Sequence, residues 1–124
     1  MSKRILVVDD DPSVRFLLRL ILESAGHEVS EAQHGVAALL RIKAALPDLV
    51  VTDIMMPVMD GRALIKHLRS HARTVGLPIL AITANPGAME AAGEADCVLG
   101  KPFARATLLA TITSLLAKAD LSAG

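Results

Sequence analysis

A chain of 124 residues is long enough for one domain with a single core, and 52% hydrophobic content against 21% charged excludes a disordered chain. Thirteen basic residues balance thirteen acidic ones, and Phe16 and Phe103 are the only residues among Phe, Tyr and Trp, so composition gives no reason to expect nucleic acid or a membrane as ligand. The lone Cys97 rules out an internal disulfide framework, no apolar run approaches the ~20 residues of a membrane span, and the chain is expected to be cytoplasmic.

Residues 4–9 (Arg-Ile-Leu-Val-Val-Asp) read as a strand buried on both faces, because four consecutive aliphatics do not alternate. The strand runs into Asp9, Asp10 and Asp11. Pro12 suits the first turn of a helix with Asp11 as its N-cap, and Val14, Leu17, Leu18, Ile21, Leu22 and Ala25 form an apolar stripe closed by Gly26. A second strand is expected at 27–32, a second helix at 36–45 and a third strand from Leu49 to Asp53. Pro57 and Asp60-Gly61 then force a loop, so Asp53 stands at the tip of a buried strand. A third helix over 63–71 turns Leu64, Ile65 and Leu68 inward, the fourth strand spans 78–83, and a brief helical stretch covers 88–93. The fifth strand, 96–99, leads into a last helix over 103–118 with Leu108, Ile112, Leu115 and Leu116 on one face, followed by a fraying tail.

Five strands alternating with five helices across short connections predict an α/β fold, a doubly wound five-stranded parallel sheet with helices on both faces. Ligands of such sheets bind outside the carboxyl ends of the strands. The polar outliers collect there: Asp9 and Asp10 after the first strand, Asp53 after the third, Thr83 after the fourth and Lys101 after the fifth. Carboxylates converging on one crevice repel each other, and a hard divalent cation such as Mg²⁺ relieves that repulsion. With an ammonium and a hydroxyl beside them, the set suits phosphoryl transfer, with Asp53 as nucleophile.

Four segments carry a family resemblance: Val7-Val8-Asp9-Asp10, Asp53 to Gly61, Thr83-Ala84 and Lys101-Pro102-Phe103. In order and in register with the strands, they make the chain resemble the response-regulator receiver domains, such as the single-domain chemotaxis regulator CheY. The resemblance implies the flavodoxin-like, CheY-like strand order 2-1-3-4-5 and a single receiver domain over 1–124, core about 3–118, with no output domain. It implies that Asp53 accepts phosphate from a phosphohistidine of a sensor histidine kinase or histidine phosphotransfer protein. Asp10 and Asp53 would bind Mg²⁺ directly, Asp9 through water, and the Met55 carbonyl would complete the protein ligands. Lys101 would pair with the phosphoryl group across a cis bond to Pro102, and Thr83 would move to hydrogen-bond the new phosphate. Ala84 would leave that phosphate accessible, with Met55 and Asn85 flanking the path of attacking water. The domain would act on itself rather than as an enzyme, switching contacts with a protein the sequence does not specify, and without nucleic acid or membrane insertion.

Two departures stand out. Val98 occupies the place where such receivers carry a Tyr or Phe that swings with the threonine, so output is expected through the loop after the fourth strand and the face of the last helix. The spacing from Thr83 to Lys101 is about one helical turn short, which predicts a stunted fourth helix. A haloacid-dehalogenase-type phosphatase would need a second Asp where Met55 stands. A nucleotide or flavin domain would need a Gly-rich loop where Asp-Asp-Asp-Pro stands. A pseudo-receiver that only binds partners stays open. His27, His34, His67 and His71 read as surface residues, Cys97 as a small buried hydrophobe and Arg69 and Arg73 as a solvated helix face.

Overall fold

Buried aliphatic runs that cannot hide in a single layer dictate a sheet covered on both sides. The computed structural model describes residues 2–85 and 92–123. β1 (Arg4–Val8), β2 (Glu28–Ala32), β3 (Leu49–Asp53), β4 (Ile79–Thr83) and β5 (Cys97–Gly100) form one parallel sheet in the order β2-β1-β3-β4-β5, as expected. The described residues hold four helices: α1 (Pro12–Ser24), α2 (Gly35–Ala44), α3 (Gly61–Arg69) and α4 (Arg105–Ala123). The expected fourth helical stretch, with its stunted form, falls mainly on residues 86–91, outside those described.

Strand alternation assigns the layers. Leu6, Val8, Val50, Ile79 and Ala81 point to the side where Ala38 and Ile42 of α2 meet Leu64, Ile65 and Leu68 of α3. Ile5, Val7, Val51, Leu80 and Ile82 point to the other, under Leu18 and Leu22 of α1 and the predicted α4 face of Leu108, Ile112, Leu115 and Leu116.

Asp11 caps α1, its side chain accepting from the Ser13 N–H, and Pro12 fills the first turn. Gly26 follows at φ +92°, a conformation that favours glycine. The stripe is narrower than predicted: Leu17 is 49% exposed and Ala25 is exposed, because one helix seated on a sheet buries only the residues nearest its contact line.

Three other expectations are corrected. The tail predicted to fray continues α4 to Ala123, with Lys3 Nζ 3.1 Å from Asp120. His27 and His34 are half-buried rather than superficial. His34 Nδ1 caps α2 by accepting from the Ala37 N–H (3.2 Å), and His27 Nδ1 accepts from the Lys3 N–H (3.3 Å), its burial holding its pKa below the ordinary value. Cys97 lies half-buried on edge strand β5, against the α1/α4 core.

Arg69 is no solvated residue. At the end of α3 its guanidinium donates to the carbonyls of Glu94 (3.1 Å), Val75 (3.1 Å) and Leu77 (2.7 Å) and to Asp96 Oδ2 (2.9 Å), which also accepts from the Ile79 N–H. One side chain therefore ties α3 to the entries of β4 and β5. Arg69→Met keeps the aliphatic stem but removes every donor, and should lower the urea-unfolding free energy by about 2 kcal/mol at unchanged m-value. A loss below ~0.5 kcal/mol would mean that water replaces the guanidinium freely.

Candidate functional site

The register brings the strand ends to one level. Val8 lies opposite Thr52, Asp53 opposite Ile82 and Thr83 opposite Gly100, so Asp9, Asp53 and Lys101 leave the sheet side by side. The Ile54 N–H donates to the Ile82 carbonyl and the Lys101 N–H to the Thr83 carbonyl (2.7 Å), carrying the ladder just past the strands. Lys101 Nζ reaches Asp9 Oδ2 at 2.9 Å and Asp53 Oδ2 at 3.5 Å. Asp9, Asp10 and Asp53 each offer a carboxylate oxygen, all within 4.8 Å of one another. Of the five side chains expected to meet in one cleft, Asp9, Asp10, Asp53 and Lys101 lie together, and Thr83 ends the adjoining strand β4.

Asp9 and Asp53 are buried, at 2% and 8% exposure, whereas Asp10 is exposed. Burial, then the Asp9 charge, pushes the Asp53 carboxyl above the ordinary carboxylate value, against the pull of Lys101 and of the Met55 and Ile54 N–H groups. Burial also draws the Lys101 ammonium down, but Asp9 and Asp53 outweigh it and hold it above its ordinary value. The ammonium lies nearer Asp9 and serves two carboxylates at once, so Asp53 is left undercompensated. A close set of hard oxygen donors in excess of local positive charge fits Mg²⁺ in chemical character.

The remaining predicted residues frame this cleft. Thr83 is buried and its hydroxyl is already engaged, donating to the Asn85 carbonyl (3.2 Å) and accepting from the Asn85 N–H (3.1 Å). Ala84 and Asn85 are exposed beside it. Met55 exposes its side chain while its N–H faces Asp53. The Lys101-Pro102 bond is cis, as the resemblance implies. Val98 is partly buried against the α2/α3 core, and its side chain leaves no ring in that place to rotate.

Two glycines hold the loop after Asp53. A Cβ on Gly61 would fall 2.1 Å from the Asp53 carbonyl oxygen, so α3 starts with its backbone against that of Asp53. A Cβ on Gly35 would fall 2.5 Å from the Met59 side chain, and the Gly35 N–H donates to the Met59 carbonyl (3.0 Å). Between them Val58 takes φ +67°, a strained turn for a β-branched residue.

Arg15 escaped the sequence reading. Its Nη1 donates to the Asp9 carbonyl (2.7 Å) and its Nε to Glu31 Oε1 (3.0 Å), while Arg19 Nε binds Glu31 Oε2 (2.7 Å). Hydrogen bonding from Arg19 and then Arg15 overcomes partial burial and keeps the Glu31 carboxyl below its ordinary value. A clamp from α1 and β2 thus fixes the backbone of Asp9, and the Asp11 N–H, donating to Asp9 Oδ1 (2.9 Å), fixes its side chain. The only signal in the sequence was an Arg one turn into a helix that follows three aspartates.

Fold and cleft together define a doubly wound α/β domain with a carboxylate-rich site at its strand ends. The sequence matches the family described as response regulator receiver domain over residues 5–113, and the chain belongs to that family, which serves two-component signalling. The response regulator MprA of Mycobacterium ulcerans is 44% identical over 125 residues, a match covering 98% of this chain and 53% of that protein, so the chain spans about half the length of this relative. The chemotaxis response regulator CheY4 of Vibrio cholerae superposes with a TM-score of 0.85 at 34% identity, covering 93% of this chain and 99% of that one. The receiver domain of the sensor histidine kinase PA1611 of Pseudomonas aeruginosa, described with a magnesium ion coordinated in its active-site cleft, gives a TM-score of 0.88 at 27% identity, covering 94% and 99%.

Because the Asp53 carboxyl is held above its ordinary value, ionising it costs more in the folded than in the unfolded chain; this group's contribution to stability is present at low pH and lost as pH rises from the ordinary carboxylate range through the raised value. At neutral pH in chelator, Asp53→Asn should therefore melt a few degrees higher than wild type, and added Mg²⁺ should stabilise wild type more than the variant. A lower melting temperature for Asp53→Asn would show that Lys101 fully compensates the charge. Arg15→Met should raise the Mg²⁺ concentration needed for half the thermal shift several-fold, because the Asp9 backbone loses its clamp; an unchanged midpoint would make the clamp purely structural.

Proposed function

We propose that Asp53 accepts a phosphoryl group from a phosphohistidine of a sensor histidine kinase or histidine phosphotransfer protein, in a Mg²⁺-dependent reaction that switches protein–protein contacts. The observation that carries this reading is the undercompensated carboxylate of Asp53, buried at a strand tip within 3.5 Å of Lys101 and clustered with Asp9 and Asp10. The ionised Asp53 oxygen attacks phosphorus, the bond from phosphorus to the donor imidazole breaks, and the imidazole leaves with the electron pair and takes up a proton. Asp53 gives up no proton, so the site needs no general base for this step. Lys101 neutralises charge on the phosphoryl oxygens, and its tether between Asp9 and Asp53 holds the ammonium where that charge arrives.

Asp9, Asp10, Asp53 and the Met55 carbonyl would hold Mg²⁺, like the ion described for the PA1611 receiver domain. When bound, it supplies charge neutralisation for the cluster and for the transferring group. The product dianion attracts the Thr83 hydroxyl away from Asn85, which reorders the loop after β4. With Val98 in place of an aromatic, the message leaves through that loop and the face of α4. The domain is used stoichiometrically and is not an enzyme acting on other substrates. No helix of the described residues is long and apolar enough to cross a membrane, and we place the domain in the cytoplasm with its kinase.

Incubation with Mg²⁺ and acetyl phosphate or phosphoramidate should add a labile increment of about 80 Da to the intact mass, absent in Asp53→Asn and formed at least about tenfold more slowly in Lys101→Met. Steady turnover of a small phosphoester would point to a phosphatase instead. No adduct with any donor would leave a pseudo-receiver that acts by binding alone.

A further inference from the structure

On the side of the sheet opposite α1 and α4, a groove of about 510 Å³ runs between α2 and α3, away from the acceptor cleft. Its wall on α2 is built by Val36, Leu39 and Leu40, and Leu68 of α3 is among its apolar lining. Leu40 is 66% and Val36 41% exposed, one helical turn apart, so α2 presents a solvated apolar ridge along the groove.

The two Lys and Arg side chains that line the groove are Lys43 and Arg73, and no Asp or Glu lines it. Residues 33–47 and 61–78, which hold α2 and α3, contain six of the thirteen Lys and Arg residues and none of the thirteen Asp and Glu, with the exposed Asp48 and the α3 cap Asp60 bordering them. The rest of the chain is left with seven cations against thirteen acids, so the basic excess of α2 and α3 is offset elsewhere in a molecule neutral overall. Arg69 is committed to Asp96, whereas Arg41, Lys43, Arg62, Lys66 and Arg73 are exposed. Lys43 and Arg73 stand at the groove itself, where Arg73 Nη1 also reaches the Lys43 carbonyl (3.4 Å). The stacked rings of His67 on α3 and His71 just beyond it, with centroids 4.2 Å apart, also line it.

We propose that this groove docks an acidic amphipathic helix of a partner protein, through contacts separate from the phosphoryl-accepting cleft. A helix with apolar residues at i, i+3, i+4 and i+7 would cover Val36 and Leu40, and Asp or Glu along its flanks would meet Lys43 and Arg73. Duplex nucleic acid offers no apolar face for the ridge, and the lining holds no Phe, Tyr or Trp on which bases could stack. A lipid surface would meet the exposed ridge of Val36 and Leu40 but would leave the groove behind it unfilled, which a helix laid along it would occupy.

The test uses the full chain and a fluorescein-labelled peptide about 18 residues long, five helical turns, with Leu on one face and Glu on the other. Anisotropy should report micromolar binding that weakens at least about fivefold between low and physiological salt. Lys43→Glu with Arg73→Glu should weaken it at least about tenfold, as should replacing every peptide Glu by Lys, whereas Arg105→Glu on the opposite layer should leave it unchanged. Leu40→Glu, at a solvated position that does not endanger folding, should abolish binding while acetyl phosphate still labels Asp53 as in wild type. Equal binding of the Glu and Lys peptides, or full binding by Leu40→Glu, would overturn the proposal. So would absence of peptide binding, in which case charge-dependent retention on phosphatidylglycerol vesicles or duplex DNA, or self-association that Leu40→Glu abolishes, would assign the groove a different occupant.

Discussion

Two buried carboxylates share one ammonium at the carboxyl end of this sheet, and much of the molecule is arranged around that shortage of positive charge. Lys101 sits 2.9 Å from Asp9 and 3.5 Å from Asp53, close enough to keep both ionised groups inside the fold but insufficient to neutralise them together with Asp10. The aliphatic strands behind the cleft raise its electrostatic stakes, because every charge interaction at their tips is strengthened by the apolar layer beneath. A site left acidic in this way is suited in chemical character to a hard cation, whose charge would offset the repulsion among its carboxylates.

Holding such a cluster requires rigidity from outside it. Arg15 and Glu31 fix the Asp9 backbone from α1 and β2, while Gly61 sets the first turn of α3 directly on the Asp53 carbonyl. The Gly35–Met59 hydrogen bond ties the start of α2 to the same loop. Asp53, its loop and two helix starts therefore form one packed unit, beside which the Thr83 hydroxyl is held by the Asn85 backbone.

Much of this was legible in the sequence because two periodicities coincide. Unbroken aliphatic runs mark buried strands, and each run ends on a residue that hydrophobic burial cannot explain, so Asp9, Asp53, Thr83 and Lys101 announce both the sheet and its functional edge. The inward faces of α3 and α4 follow from their spacing, and the structure buries the same residues. What escaped depends on partners distant in sequence or on unusual chemistry. Arg69 looks like any basic residue near a helix end until Asp96 and the carbonyls of Val75 and Leu77 fold around it. His34 is not among the residues that usually cap helices, so its role is invisible before the Ala37 N–H is in place. The end of α4 was misjudged because position near a terminus says little about order, and a tether to Lys3 holds Asp120 in place. The polarity of the surface was hidden by a balanced total, since net charge records quantity and not arrangement.

That arrangement leaves the α2 and α3 segments with an excess of cations and the rest of the chain with an excess of acids, even near a pI of about 6.9 where the net charge vanishes. Encounters with this protein are therefore selected by the direction of approach as well as by its mean charge.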